Sequence, residues 1–276
     1  MPGSEAEIAD PAAARIAPCG HVLGVRIDAH DYASALSECL SLSACGAGAV
    51  CVAAANTHLV THARRTPEFA RVLESFDLVL PDGMPLVWML RRQGLHLADR
   101  TYGPWFMRHA ILNAPESCSH LLVGGTPECV ARLESELRRM RPGIRLHASV
   151  QPPFGPWDAA VDESLLAHIN ACGADFVWVA LGGVRQEIWM ARHRDRIRRG
   201  VVVGIGDGFA LLAGMRKPAP RWMERCSLTW LHRLASEPRR LFGRYVKYNS
   251  LFLWHAIPEW LFGRRGTRGE GSRVKG

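Results

Sequence analysis

Short apolar segments alternate with longer amphipathic segments along most of the chain. Residues 21–27 alternate between apolar and polar positions, which predicts a strand or hairpin, and the spacing over residues 32–45 predicts a helix capped by Asp31. Further strands are predicted at residues 49–54, 77–80, 120–123, 144–150, 176–181 and 201–205. Further helices are predicted from Pro67, from about residue 84 to 93, and over residues 126–140, 158–172 and 186–196.

The regular succession of short strands and helices is typical of βαβ units, which build a mainly parallel sheet. Residues 176–181 are apolar without interruption, as expected of a parallel strand that is buried on both faces. We therefore expect an α/β fold of the Rossmann-like type, with helices on both faces of the sheet and a helical basic appendage at the C-terminus.

Charge is distributed unevenly over the 276 residues, whose formal net charge is +8. Residues 216–276 hold 14 Lys/Arg against 4 Asp/Glu, whereas residues 1–215 hold 20 against 22. This asymmetry predicts a nearly neutral body with a cationic appendage that binds anionic partners. The predicted division is a flexible leader (1–18), an α/β catalytic domain (19–215), a helical basic appendage (216–262) and a disordered tail (263–276).

Cysteine spacing and the absence of targeting features favour a cytoplasmic protein. The eight cysteines are scattered without a C-x-x-C pair, which is typical of buried thiols in a reducing compartment rather than of disulfides or zinc. The first 18 residues carry Glu5, Glu7 and Asp10, unlike a secretory signal. Apolar stretches also fall short of the ~18 residues that a membrane-spanning helix needs.

Polar and glycine-rich groups follow several of the predicted strands, where ligands of open parallel sheets bind. Gly124 and Gly125 precede a helix start, so they either bring a phosphate to bare backbone N–H groups or only form a tight turn. The glycine-rich segment 204–208 lacks the third glycine of a dinucleotide fingerprint. The groups in question are Asn56-Thr57, Asp82-Gly83, Gly124-Gly125-Thr126, the segment 182–187 and the segment 204–208.

Two of these groups, and a pair of histidines, have both a chemical and a structural interpretation. Asp82 is placed either to accept a proton from a hydroxyl nucleophile or to cap the following helix. Gln186 and Glu187 are either ligands of a crevice or ordinary residues of a first helical turn. His58 and His62 are four residues apart with no third ligand nearby, which favours surface histidines over a metal site.

The order and spacing of these motifs resemble the WecG/TagA/CpsF glycosyltransferases, a bacterial family that makes surface polysaccharides and linkage units of wall teichoic acid. The resemblance covers about residues 21 to 245. Its motifs are Asn56, the segment 77–83 (DLVLPDG), 100–103 (RTYG), 122–127 (LVGGTP), 181–187 (LGGVRQE), 219–222 (APRW), 230–234 (WLHRL) and 237–240 (EPRR) with Arg244-Tyr245.

The resemblance implies an inverting, metal-independent transferase without a cofactor, acting at the inner face of the cell membrane. It would move a hexose or N-acetylhexosamine-type sugar from a UDP-sugar to a polyprenyl-diphosphate-linked acceptor. Asp82 falls on the family's proposed general base. Donor-binding positions would be Asn56, Arg100, Gln186 and Glu187, with Gly124, Gly125 and Asp207 as further candidates. Pyrophosphate and acceptor positions would be Arg233, Arg240 and Arg244, since arginine suits diphosphate recognition.

The chain departs from the family pattern at four positions, where Ala54, Ala210, Pro218 and Thr229 replace a threonine, an aspartate, an arginine and a glutamate. Asp207 is a candidate substitute for the missing aspartate. The alternative function is a non-catalytic nucleotide-binding α/β protein whose basic tail contacts a membrane or nucleic acid.

The C-terminal segment favours an anionic membrane surface over nucleic acid, because arginines there are mixed with a stripe of bulky apolar residues. On a helix, Leu251, Trp254 and Phe262 fall roughly on one side, and Leu253, Ile257 and Trp260 widen the stripe. The competing interpretation is a terminal helix packed on the protein's own core.

Overall fold

The computed structural model describes residues 18–46, 48–220, 222–223 and 228–262. Residues 1–17 of the predicted leader and the predicted tail 263–276 lie outside the described residues. A six-stranded, all-parallel sheet with strand order β4-β3-β8-β7-β5-β6 forms the centre of the protein, and an antiparallel hairpin β1-β2 lies beside it. The expected α/β, Rossmann-like fold is confirmed.

The elements have the following bounds. The strands are β1 Cys19–Val22, β2 Val25–Asp28, β3 Val50–Ala55, β4 Leu78–Pro81, β5 Ser119–Gly124, β6 Arg145–Leu146, β7 Phe176–Ala180 and β8 Val201–Gly204. The helices are α1 Tyr32–Ala44, α2 Thr57–Arg65, α3 Pro67–Glu74, α4 Met84–Arg92, α5 Gly103–Asn113, α6 Pro127–Met140, α7 Ala159–Cys172, α8 Arg185–His193, α9 Gly208–Leu212, α10 Thr229–Ser236 and α11 Pro238–Phe262.

The sheet separates two apolar cores, as the alternation of side chains along β7 demonstrates. Val177 and Val179 pack into one core, whereas Phe176 and Trp178 pack into the other. Helices α2, α3, α4, α7, α8 and α11 contribute side chains to the first core, and α1, α5, α6 and α9 contribute to the second. The uninterrupted apolar run predicted from the sequence is therefore a strand covered on both faces.

Local signals in the sequence fix several helix starts. Asp31 caps α1 through a reciprocal capping box with Ser34, as predicted. Asn56 caps α2, a helix that the apolar pattern did not reveal because polar residues and arginines dominate it. Helix α5 was likewise missed, since Pro104 at its start reads equally well as a turn.

The predicted strand at 144–150 is only partly formed. Strand β6 covers two residues, and Val150 makes an isolated bridge to Val123. The segment lies at the edge of the sheet, where the His147 N–H still donates to the His120 carbonyl oxygen and the pairing is interrupted at the exposed Ala148 and the partly exposed Ser149. Residues 194–196, predicted to continue a helix, form a 3₁₀ turn instead.

The C-terminal helix α11 is seated on the body of the protein. Phe252 and Ala256 are buried in the first core. The Glu259 carboxylate accepts hydrogen bonds from the backbone N–H of Leu23, at 3.2 and 3.3 Å. The Arg92 guanidinium donates to the carbonyl oxygen of Trp260 at 2.5 Å. The inner face of α11 is thus part of the fold, as the competing interpretation of this segment expected.

Candidate active site

A cavity of about 730 Å³ lies at the carboxyl ends of β3, β4, β7 and β8, between the sheet and helices α10 and α11. In a parallel sheet these ends share one edge, so the loops that follow the four strands converge there. The polar side chains that line the cavity are those of Asn56, Asp82, Arg100, Gln186, Asp207, Arg216 and Arg233, among others.

Asp82 directly follows β4, and its side chain bonds to the start of α5 rather than to the start of α4, the next helix in the chain. Its Oδ1 accepts a hydrogen bond from the backbone N–H of Gly103 at 2.8 Å, which is the first residue of α5. Burial raises the pKa of Asp82, and Arg100, the Gly103 N–H, the Asn56 amide and Arg233 oppose that rise. The result is a carboxylate in the cavity wall whose pKa lies above its ordinary value, as suits a proton acceptor.

Asn56 connects the start of α2 with this carboxylate. Its Oδ1 accepts hydrogen bonds from the backbone N–H groups of His58 and Leu59, at 3.0 and 3.3 Å. Since the amide oxygen is committed to the helix, the NH₂ group is the part that faces Asp82 and lowers its pKa. The capping role of Asn56 therefore fixes which end of its side chain meets the cavity.

Three arginines line the cavity together with Asp82 and Asp207. Asp207 pairs with Arg233 of α10 and with Arg216, the latter at 3.5 Å. The Arg100 guanidinium lies 4.5 Å from the centre of the Tyr102 ring and donates to the Thr229 hydroxyl at 3.2 Å. Among the described residues, the three cations of this group outnumber the two carboxylates, so these side chains favour an anionic ligand.

Arg216 is a cavity residue that the sequence did not single out. It follows α9 in the segment that leads to the C-terminal helices, and its side chain is largely buried. Its only signal in the sequence was a cation close after the last apolar strand, in a segment already assigned to the appendage.

Gln186 ties two of the converging loops together. Its Oε1 accepts from the backbone N–H of Gly206 at 3.0 Å, and its Nε2 donates to Glu187 Oε1 at 2.7 Å. Glu187 is fully buried behind Gln186 and is not part of the cavity lining. Burial raises the pKa of Glu187 to about 7, and the hydrogen bond from Gln186 opposes this rise.

Gly124 and Gly125 lie outside the cavity lining. Their backbone N–H groups donate to the carbonyl oxygens of Val150 and Ala180, at 2.8 and 3.4 Å. At Gly124 the φ angle is +95°, and a Cβ atom would lie 2.5 Å from the Ala180 carbonyl oxygen. The tight-turn interpretation therefore accounts for Gly124, because a side chain there would collide with the neighbouring strand.

The predicted pyrophosphate positions are only partly described. Arg233 lines the cavity. Arg240 and Arg244 belong to α11, but their side chains lie outside the described residues.

One side of the cavity is apolar, and its α11 residues were predicted from the sequence as part of a membrane-facing stripe rather than as cavity lining. Trp88 of α4 and Leu253, Ile257 and Trp260 of α11 line it. These elements are far apart in the chain, and only the packing of α11 on the body brings them together. Among the described residues, no helix combines the length and apolar character required to cross a membrane.

A comparison with models of protein families identifies the family to which the chain belongs. The model of the glycosyl transferase WecG/TagA/CpsF family matches residues 20–266, a span that includes every residue lining the cavity. The match covers most of the 276 residues. The chain belongs to this family of glycosyltransferases, which function in the synthesis of cell-surface polysaccharides.

Proposed function

We propose that this glycosyltransferase moves a hexose or N-acetylhexosamine-type sugar from a UDP-sugar to a polyprenyl-diphosphate-linked acceptor, with inversion and without a metal ion. The observation that carries the proposal is a single cavity that combines a carboxylate of raised pKa with three arginines. A transferase of this kind needs a proton acceptor beside the reacting hydroxyl and positive charge beside a diphosphate.

In the proposed reaction Asp82 is the general base. A carboxylate oxygen of Asp82 accepts the proton of the acceptor hydroxyl while the hydroxyl oxygen attacks the anomeric carbon. The bond from that carbon to the diphosphate oxygen breaks, and UDP leaves with the electron pair from the face opposite the attack. A single displacement of this kind inverts the configuration at the anomeric carbon.

Positive charge from the arginines stabilises the diphosphates of donor and acceptor. Arg100, Arg216 and Arg233 offer guanidinium groups of the planar, forked kind that suits phosphate oxygens. Asp207 holds Arg216 and Arg233 within one ion-pair cluster before a ligand arrives. We assign the added charge of the leaving UDP to this group of arginines, with Arg240 and Arg244 as further proposed contacts from α11.

The donor binds beside Asn56 and Gln186 in this proposal. Gln186 supports the site by holding the Gly206 loop, and Glu187 supports it indirectly by fixing the Gln186 amide. Gly124 and Gly125 keep a structural role in shaping the adjacent turn. The two hydrogen bonds of the Gln186 amide favour a rigid wall over a mobile one.

We further propose that the outer face of α11 rests on the inner surface of the cell membrane. Trp254 and Leu261 are 76% and 59% exposed on this helix, on the same side as the exposed Lys247. An amphipathic helix with exposed bulky groups and cations suits the interface of an anionic bilayer. Each basic group near such a surface adds ~1 kcal/mol.

The test is a panel of UDP-sugars incubated with a short-chain polyprenyl-diphosphate-linked sugar acceptor, with UDP release as the readout. We expect release that requires both substrates, and a product whose new linkage has the opposite anomeric configuration to the donor. Binding of UDP without turnover on any acceptor would favour the alternative of a non-catalytic nucleotide-binding protein.

A further inference from the structure

The cavity has two chemically different arms. The polar arm contains Asp82, Asp207 and the three arginines described above. The apolar arm lies between α4 and α11 and is lined by Met84, Trp88, Met89, Phe252, Ile257 and Trp260. Both arms belong to one continuous volume of about 730 Å³, so a single molecule is able to occupy both.

The apolar arm is formed by one stripe of α11. Positions 249, 252, 253, 256, 257 and 260 all line the cavity and repeat at intervals of three or four residues, which places them on one side of a helix. Within this stripe Phe252 and Ala256 are buried, whereas Leu253, Ile257 and Trp260 are 41–55% exposed. The stripe is therefore anchored in the core at its centre and open toward solvent at its margin.

Large apolar side chains are left exposed at the mouth of this arm. Trp88 is 40% exposed on the α4 side of the same cavity, whose α11 margin is 41–55% exposed. A concave surface of this composition gains free energy when an apolar ligand displaces its water. A sugar carries far less apolar surface than a hydrocarbon chain, and the phosphate-rich part of a nucleotide sugar belongs with the arginines.

The wall that α11 contributes is fixed to the body at several points. Glu259 binds the Leu23 N–H, and Arg92 binds the Trp260 carbonyl with its guanidinium 5.6 Å from the centre of the Trp260 ring. Thr57 donates to Asn249 at 3.3 Å. The arm is thus a preformed slot.

The slot also continues onto the outer surface of α11. Leu253, Ile257 and Leu261 follow one another at intervals of four residues, so they form a row along the helix. The first two line the slot, and Leu261 is 59% exposed beyond it. An apolar chain that follows this row stays in contact with apolar side chains between the outer surface and the slot.

We infer that the apolar arm binds the isoprenoid units next to the diphosphate of the acceptor lipid, so that α4 and α11 form a slot for the lipid chain. This inference rests on the proposed function and names the part of the acceptor that the enzyme grips. Two features of the cavity point to this occupant: cations at one end match a diphosphate, and an apolar arm continuous with them matches the hydrocarbon attached to it. The competing occupant is the base of the donor nucleotide, which would stack on the tryptophans.

The experiment compares inorganic diphosphate, farnesyl diphosphate and UDP by calorimetry with the full-length protein in buffer free of detergent and lipid. We expect farnesyl diphosphate to bind at least about tenfold more tightly than inorganic diphosphate, because burial of several apolar carbons exceeds the 1.4 kcal/mol that a tenfold change requires. Ile257→Gln, which places an amide at the mouth of the slot, should remove most of that advantage and leave inorganic diphosphate and UDP unchanged.

Ile188→Gln is the matched control, since Ile188 is 39% exposed on α8 and lies outside the cavity lining. It should change none of the three affinities, and both variants should keep the parent's circular dichroism. Equal affinities for inorganic and farnesyl diphosphate would overturn the slot while UDP binding and turnover still support the transferase. Weaker UDP binding by Ile257→Gln, with farnesyl diphosphate unaffected, would assign the arm to the base. A protein that binds neither UDP nor diphosphate would overturn the proposed function itself.

Discussion

Asp82 has two properties that a general base requires, a fixed position in the cavity and a raised pKa. Asp82→Asn keeps the size of the side chain and an oxygen for the Gly103 N–H, but it removes the proton-accepting carboxylate. We expect turnover to fall by ~10² or more, the usual scale for a positioned base, with UDP affinity nearly unchanged. Near-normal turnover in a folded Asp82→Asn protein would eliminate the role.

The raised pKa of Asp82 also predicts how activity depends on pH. The base functions only when it is ionised, so turnover should fall as the pH drops through its pKa. That fall should occur at a higher pH than the ordinary value of 3.8 would give, because burial disfavours the charged form. Rates measured across the acid range, on protein that circular dichroism shows to be folded, test this. An acid limb at or below pH 3.8 would contradict it.

The raised pKa of Glu187 predicts that the free energy of unfolding, rather than the reaction rate, depends on pH through this residue. Its pKa is about 7 in the folded protein against an ordinary value of 4.5, so the folded state binds this proton more tightly than the unfolded chain. The associated stability is fully present below about pH 4.5 and is lost as the pH rises through about 7. Glu187→Gln should remove this loss, which is on the order of 3 kcal/mol by linkage.

Urea unfolding at several pH values measures the Glu187 effect. The difference in unfolding free energy between Glu187→Gln and the parent should shift in favour of the variant as the pH rises from 4.5 to 8. Glu68→Gln is the control, because that carboxylate is 74% exposed and should show no comparable shift. Parallel pH profiles for Glu187→Gln and the parent would mean that folding does not raise the pKa of Glu187.

At the scale of elements, α11 separates two functions between its faces. Its inner face packs on the core and lines the cavity, so deletion of the helix would damage the fold and the site together. Point changes on the outer face are therefore the sharper test of membrane contact. Trp254 and Leu261 are 76% and 59% exposed and lie outside the cavity lining.

The double variant Trp254→Glu/Leu261→Glu should lose most of its sedimentation with anionic vesicles while it keeps the parent's UDP affinity. The physical reason is that two carboxylates replace apolar groups at a negatively charged interface. Phe154→Glu is the control, since Phe154 is a fully exposed aromatic residue in another part of the chain. If the double variant sediments with vesicles as well as the parent does, the outer face of α11 does not bind the membrane.

At the scale of the whole molecule, charge is divided between a nearly neutral body and a basic C-terminal segment of net +10 over residues 216–276. Association with vesicles should therefore require anionic lipid and weaken as salt is raised, because exposed charges are screened beyond ~10 Å at 0.1 M salt. Vesicles of zwitterionic lipid are the control. Binding that is equally strong to both vesicle types at all salt concentrations would contradict an electrostatic contribution.

Much of the fold was predictable because parallel strands buried on both faces carry a local signature. The strands β3, β4, β5, β7 and β8 appear in the sequence within one or two residues of their observed bounds. The exception, β6, lies at the edge of the sheet, where burial no longer enforces an apolar pattern. Helices α2 and α5 were missed because capping and packing, rather than a clear apolar period, define them.

The sequence by itself also determined the chemistry at the strand ends and the separation of charge. Asn56, Asp82, Arg100, Gln186, Asp207 and Arg233 were named as candidates from motifs, and all six line one cavity. Asn56, Asp82, Gln186 and Asp207 were accessible because a polar group close after an apolar strand is a local feature, and its place at one edge follows from parallel pairing. Arg100 and Arg233 follow no strand and were named only through the resemblance to the family.

Only the tertiary structure decided which of the strand ends share the cavity and what completes its walls. Strand β5 lies beyond β7 in the sheet order, so Gly124 and Gly125 sit outside the lining although their motif resembles a phosphate loop. Glu187 lies in the core because of its position in the first turn of α8. Arg216, from the segment after α9, lies in the cavity wall, where it pairs with Asp207. The apolar arm exists only because α11 folds back over α2 and approaches α4, a contact between distant segments that no local pattern specifies.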